Sequence, residues 1–178
     1  MHCAVTFGDP ATMNPIQFVA EKAVRATLRS TFKAPGKLPI PLSWLAATMN
    51  AGAPLFKVRP DARVEYLELG TCMCALVRPA DSHTDQVLLH MHGGAFFAGS
   101  LETHLPLASE LAVRCNARVF LVDYRLAPQD PYPAALEDGM AAYQALLDLD
   151  VNPKNITLVG DSAGAAHILS MAIYARNE

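Results

Sequence analysis

The sequence predicts an α/β fold in which a largely parallel sheet carries helices on both faces. Three observations predict it. Beyond residue 58, short apolar runs alternate with longer stretches of helical periodicity, the pattern that builds a parallel sheet. The first two of those runs are joined by Gly70-Thr71, a two-residue connection with glycine first, which suits a tight hairpin. The last run, Ile156 to Val159, passes directly into Gly160-Asp161-Ser162-Ala163-Gly164 and a helical pattern, so a strand turns sharply into a helix there.

Taken in order, Asn14-Pro15 is a helix cap followed by a first-turn proline, and Ile16, Val19, Ala23 and Ala26 recur at helical spacing up to about Ser30. The breaker-rich stretch Ala34-Pro-Gly-Lys-Leu-Pro-Ile-Pro41 ends that region, and a short helix is expected from Pro41 through Trp44, Leu45 and Met49. A second region begins near Val58, dividing the chain into 1–57 and 58–178. Its strands are expected at Val64–Leu69, Cys72–Arg78, Val87–Met91, Ala117–Val122 and Ile156–Val159. Helices are expected over Thr103–Cys115 and Ala134–Asp148, the latter with Leu136, Met140, Tyr143 and Leu147 on one face, and after Ser162.

The chemistry lies in three blocks. In Gly160-x-Ser162-x-Gly164 the turn lifts a serine hydroxyl above the C-terminal edge of the sheet, and small flanking residues avoid collision with neighbouring strand and helix. Upstream, the strand Gln86-Val-Leu-Leu-His-Met-His92 is followed by Gly93-Gly94-Ala95-Phe96-Phe97-Ala98-Gly99-Ser100. Adjacent glycines there can turn backbone N–H groups into a cavity to stabilise a tetrahedral oxyanion, together with the N–H of Ala163. The third block is Asp123-Tyr-Arg-Leu-Ala-Pro-Gln-Asp-Pro-Tyr-Pro-Ala-Ala-Leu-Glu-Asp-Gly139.

With the three blocks in this order, the chain resembles the hormone-sensitive-lipase-like family of α/β-hydrolase carboxylesterases, from about Val64 to Ala175. The resemblance implies the N-terminal half of an α/β-hydrolase sheet and a serine esterase or lipase acting on small acyl esters. It further implies no metal or organic cofactor, and N-terminal helices that serve as part of a cap over the acyl pocket. Trp44 either lines that pocket or simply packs. Two positions depart from the family pattern. Ala95 stands where a third loop glycine is usual. Because an alanine at positive φ costs about 1 kcal/mol, the oxyanion donors are assigned to Gly93, Gly94 and Ala163. Gln129 replaces the commoner glutamate, a change expected to be structural.

The resemblance places the triad carboxylate and imidazole after the serine, where these residues offer only His167 and Glu178. On a regular helix His167 is rotated about 140° from Ser162 and lies roughly 7.5 Å down the axis, and Glu178 lies about 24 Å along it, so neither is expected to serve. His92 is expected to shape the oxyanion loop and His90 to be a core imidazole on the same strand face, while His104, His83 and His2 are not promoted to a general base. The expectation is therefore a nucleophile without its proton-handling partners, in a chain cut short of a whole hydrolase domain.

Composition narrows the alternatives. At 178 residues and 52% hydrophobic content the chain can bury a sizeable core, and a net charge of −3 gives no reason to expect nucleic acid or an anionic membrane as partner. Cys72 and Cys74 share one strand face, Cys3 and Cys115 lie in unrelated segments, and no second pair has metal-ligand spacing, so free thiols in a cytoplasm are expected. The one apolar stretch of membrane length, Ile156 to Ala175, contains Asp161 and His167 and is the turn and its helix rather than a span. Two functions stand against each other: a carboxylesterase, or a non-catalytic remnant that associates through an uncovered sheet edge.

Overall fold

The computed structural model describes residues 22, 41–51 and 56–177. Apart from Lys22, the helix expected over 14–30 and its connection lie outside the described residues, as do His2, Cys3 and Glu178. The chain divides into two units, Met1–Pro41 and Leu42–Glu178; the short second helix thus belongs with the sheet-bearing unit and not with the region 1–57.

That unit opens with α1 (Leu42–Asn50), which buries none of its residues. Trp44 is 72% exposed, so it neither packs nor lines a pocket within this unit. The hairpin follows as β1 (Ala62–Leu69) and β2 (Cys72–Pro79), antiparallel with Leu69 opposite Cys72. Gly70 turns it at φ +66°, and a Cβ there would press on the backbone of Ala141 and Ala142, so glycine is required for conformation and for space.

Three further strands complete one sheet: β3 (Val87–Met91), β4 (Arg118–Val122) and β5 (Ile156–Gly160), in the order β1-β2-β4-β3-β5. The β2–β4 pairing is antiparallel, and β4–β3 and β3–β5 are parallel. The sheet is mixed, with its parallel half where the sequence places the chemistry. Among the described residues β5 is paired on one side only.

Helices cover both faces. α2 (Leu101–Cys115) begins two residues earlier than expected because Ser100 caps it: its hydroxyl accepts from Thr103 N–H, and Thr103 Oγ1 accepts from Ser100 N–H. It packs Leu101, Leu105, Ala108 and Ala112 on Ala75, Val77, Val119 and Leu121. α3 (Ala134–Asp148) and α4 (Ala163–Asn177) cover the other face, over Leu89, Met91, Phe120 and Val122. Each fully buried side chain of this size contributes about 1.5–3 kcal/mol.

The face expected for α3 does pack on the core through Leu136, Met140 and Tyr143, but it is not the deepest part of the helix. Leu136, Met140, Tyr143 and Leu147 are only partly buried; the deepest stripe is Ala134, Asp138, Gly139, Ala142 and Leu146. Small residues face inward because the backbone of α3 comes close to the β1–β2 turn at Gly70 and to the side chains of His167 and Met171 opposite Gly139. Asp138 is inside because it is bonded there: it accepts from Thr71 Oγ1 at 2.9 Å, from Arg125 N–H at 2.8 Å and from the Arg125 guanidinium at 2.9–3.1 Å.

Candidate active site

The site grows from the C-terminal ends of β3 and β5. Their register sets Met91 opposite Gly160, so the loop after one strand and the turn after the other leave the sheet side by side. Ser162 has φ +50°, the left-handed conformation that costs a non-glycine residue about 1 kcal/mol or more. Its neighbours let it sit there. A Cβ on Gly164 would fall on the Met91 carbonyl oxygen, and one on Gly160 on the Gly164 carbonyl group, so strand and helix approach at a distance only glycine permits. Ser162 is exposed, and its hydroxyl makes no hydrogen bond among the described residues.

The loop after β3 is left-handed in succession: Gly94 at φ +127°, Ala95 at +54° and Phe96 at +63°. The expectation that Ala95 avoids positive φ is corrected here. The surroundings impose the conformation: Phe97 and Ala98 N–H both donate to the Gly94 carbonyl, Ala127 N–H donates to the Phe96 carbonyl, and Gly99 N–H donates to Asn50 Oδ1 at 3.0 Å.

The N–H of Gly93 donates to Asp161 Oδ1 at 3.0 Å. It already has an acceptor and is not available to an oxyanion. The N–H groups of Gly94, Ala95 and Ala163 have none among the described residues. The sequence places Gly93 among the donors and passes over Ala95; in the structure the Gly93 N–H is engaged by Asp161 and the Ala95 N–H is open among the described residues.

Histidines surround this arrangement without reaching the serine. His92 is fully buried; its Nδ1–H donates to the Gly93 carbonyl at 2.7 Å, and its ring stacks between Tyr124 and His104 at 4.3 and 5.1 Å. Burial pushes its pKa down to about 4, so it is neutral and structural. Tyr124 fixes the same backbone by donating its hydroxyl to the His92 carbonyl at 2.6 Å. His90 Nε2 and His104 Nε2 lie 3.5 and 3.7 Å from the two oxygens of Asp161. Those imidazoles, His104 foremost, hold the Asp161 carboxyl well below the usual carboxylate range despite partial burial.

His167 is 2% exposed, packed edge-on to Tyr124 at 4.8 Å and against Gly139, with no hydrogen bond of ordinary geometry and only a contact with the backbone of Ala135. Burial lowers its pKa as well. It faces the α3–α4 contact and is no base for Ser162, and Glu178 lies outside the described residues. His83 sits in a surface loop.

Cys72, Cys74 and Cys115 are free thiols; burial pushes Cys72 up to about 11 and Cys74 higher still, which keeps both protonated. Among the described residues no group of three or more His, Cys, Asp or Glu is arranged to hold a metal ion. No helix among them is long and apolar enough to cross a membrane.

Two residues central to this site escaped the sequence reading. Asp161 stood as an unspecified position of G-x-S-x-G, although a carboxylate directly before a nucleophile signals a charge needing a partner. Ala95 was set aside on intrinsic strain alone.

Comparison with known proteins agrees with this geometry. Residues 88–178 match a family model described as alpha/beta hydrolase fold. The chain is 36% identical over 146 residues to an esterase of Acinetobacter venetianus, covering 82% of this chain and 48% of that protein. It is 42% identical over 101 residues to an acetyl-hydrolase of Streptomyces hygroscopicus, covering 57% and 33%. A crystal structure of an esterase/lipase from an uncultured bacterium superposes with TM-score 0.80 at 35% identity, over 93% of this chain and 54% of that one. A hormone-sensitive lipase from a metagenome library superposes with TM-score 0.77 at 32% identity, over 93% and 53%. The chain thus spans from a third to about half of the length of these relatives. With the serine elbow, the loop of left-handed residues and the parallel strands beneath them, the chain belongs to the α/β-hydrolase fold family, in its hormone-sensitive-lipase-like branch.

Proposed function

We propose that the protein is a serine hydrolase of small carboxylic esters. Ser162 is the nucleophile that attacks the ester carbonyl, and the N–H groups of Gly94, Ala95 and Ala163 receive the negative charge that develops on its oxygen. The observation that carries this reading is Ser162 itself: a left-handed, exposed serine with an unengaged hydroxyl between β5 and α4, beside a loop whose N–H groups lack acceptors. The names of the similar proteins, esterase and acetyl-hydrolase, support an acyl ester as substrate class. No metal or cofactor enters the chemistry proposed.

Attack by Ser162 requires an imidazole to take its proton, and none among the described residues lies within hydrogen-bond distance of the hydroxyl. A polypeptide of these 178 residues alone is therefore expected to lose on the order of 10⁶ in kcat relative to a complete triad. Hydrolysis of p-nitrophenyl acetate by this polypeptide should not exceed that of its Ser162→Ala variant. Serine-dependent turnover at ordinary esterase rates would sink this assignment of roles.

The unpaired side of β5 favours a second reading, in which these residues act through association. Beside that edge α4 presents Leu169 and Ile173, 65% and 58% exposed, and an open strand with apolar neighbours is a template for pairing. A monomer at micromolar concentration in size-exclusion chromatography would count against this reading, and a dimer lost on introducing Leu169→Glu would support it.

A further inference from the structure

We infer that Asp161 is a positioning residue: its carboxylate, seated between His90 and His104, holds the Gly93 N–H and so aims the next two N–H groups of the loop over Ser162. The inference rests on the reading of Ser162 as nucleophile but concerns a residue that touches neither substrate nor the serine hydroxyl.

Three observations converge on it. Gly93 gives its N–H to Asp161 Oδ1 at 3.0 Å, so one end of the loop is tied to the residue preceding the nucleophile. A Cβ on Gly93 would fall on Asp161 Oδ2 and come within 3.0 Å of the Asp161 carbonyl oxygen, so any other residue at position 93 would push the carboxylate out of its seat. The carboxylate also lies near two imidazoles, His90 Nε2 at 3.5 Å and His104 Nε2 at 3.7 Å, contacts longer than a hydrogen bond of ordinary geometry, and His104 is anchored by Thr103 Oγ1 at 2.7 Å from its Nδ1.

The arrangement also answers an electrostatic problem. A bare carboxylate one residue from the nucleophile would oppose the oxyanion that attack creates. Here one oxygen accepts from the Gly93 N–H and both lie near imidazoles, which offsets part of that field. The same contacts favour the ionised form, so the acceptor for Gly93 is a charge-assisted one and the loop is set before substrate arrives.

The test places Asp161→Asn and Asp161→Ala in a polypeptide that carries these residues together with a triad imidazole, so that turnover is measurable, and reads two independent signals. The first is the backbone amide of Gly93 by NMR, together with hydrogen exchange at Gly94 and Ala95. The Gly93 proton should shift upfield in Asp161→Asn and further in Asp161→Ala, with faster exchange at the next two amides. The second is the KM-against-kcat split on p-nitrophenyl butyrate. Asp161→Ala should lower kcat by on the order of 100-fold with KM within about threefold, and Asp161→Asn, which keeps an oxygen facing Gly93, should lose less than about tenfold. An unmoved Gly93 amide in both variants, or equal kcat losses in both, would overturn the inference. Activity that survives Ser162→Ala would instead remove the nucleophile assignment and leave the amide shift as the test of the tie. Should Asp161→Ala fail to fold, Asp161→Asn still decides through its amide shift.

Discussion

Gly164→Ala offers the sharpest check on how the elbow is built, because two effects predict opposite signs. Gly164 lies in the first turn of α4 and its φ is not left-handed, so helix propensity alone makes alanine the better residue by about 1 kcal/mol. The structure predicts the reverse. The new Cβ would land on the Met91 carbonyl oxygen, with the Met91 carbonyl carbon at 2.8 Å and the His92 carbonyl oxygen at 2.9 Å. All three are backbone atoms at the end of β3, held by pairing with β4 and β5, and none can rotate away. Relief requires the first turn of α4 to rise off the sheet until contact reaches about 3.5 Å. Overpacking of this kind costs about 1–3 kcal/mol, toward the upper end where backbone must yield.

Offsetting the propensity gain leaves a net loss of about 2 kcal/mol, which for a chain of this size lowers Tm by roughly 4–8 °C. The assay is thermal unfolding followed by circular dichroism, with Ala166→Gly as the control: exposed on the same helix, it measures the propensity term without a clash. A Gly164→Ala variant as stable as the wild type, or more stable, would refute the claim that close approach of α4 to β3 sets the elbow.

The remaining predictions concern acid stability and the buried imidazole of His167. His92 and His167 are buried neutral, with folded pKa values below the 6.5 of a free imidazole, so the unfolded chain binds more protons as pH falls below that value. Stability should be full above about pH 6.5 and decline toward pH 4, and urea midpoints across that window should show the slope. His167→Leu should flatten it and leave stability near neutral pH unchanged or raised, since it removes a buried imidazole whose only polar contact is with the Ala135 backbone, at similar volume; a loss above about 2 kcal/mol at pH 7.5 would mean that this contact is a full hydrogen bond. A second decline should follow below about pH 4, where the carboxyls of Asp138 and Asp161 take up protons in the unfolded chain while the folded state still resists them. Burial disfavours the Asp138 anion, but the Arg125 and Thr71 hydrogen bonds outweigh it and lower its pKa, so Asp138→Asn should reduce that acid-side loss.

Much of the fold was legible because it rests on local signals. Strand bounds from β1 to β5 fall within two residues of the expected ones, and α3 matches end to end, since apolar runs and breakers punctuate them clearly. What the sequence hid is what depends on contact between distant segments. The face expected for α3 packs on the core, but its deepest stripe was hidden because small residues carry it, and small residues read poorly as core until the helix is seen against Gly70 and His167. Ala95 was passed over because its strain is intrinsic and visible, whereas the bonds that hold it there, from Phe97, Ala98, Ala127 and Asn50, span much of the unit. Asp161 was silent because its partners, Gly93, His90 and His104, lie far upstream.

The location of the site follows from the order in which the strands are laid down. From β3 the chain crosses through α2 on one face to reach β4; from β4 it crosses through α3 on the other face and returns past β3 to reach β5. At the C-terminal ends of β3 and β5 the departing chains therefore part to opposite sides, and a crevice opens between them, as at the switch point of open parallel sheets. The loop 93–99 and the elbow 160–164 are the two segments leaving those strands. Nothing else in the unit would bring an N–H-rich loop and a lifted serine to one level, because the parallel register that sets Met91 opposite Gly160 fixes both exits at once. A change that slips this register by one residue should therefore abolish the site without touching any residue in it, whereas changes in the β1–β2 hairpin, on the far edge of the sheet, should spare it.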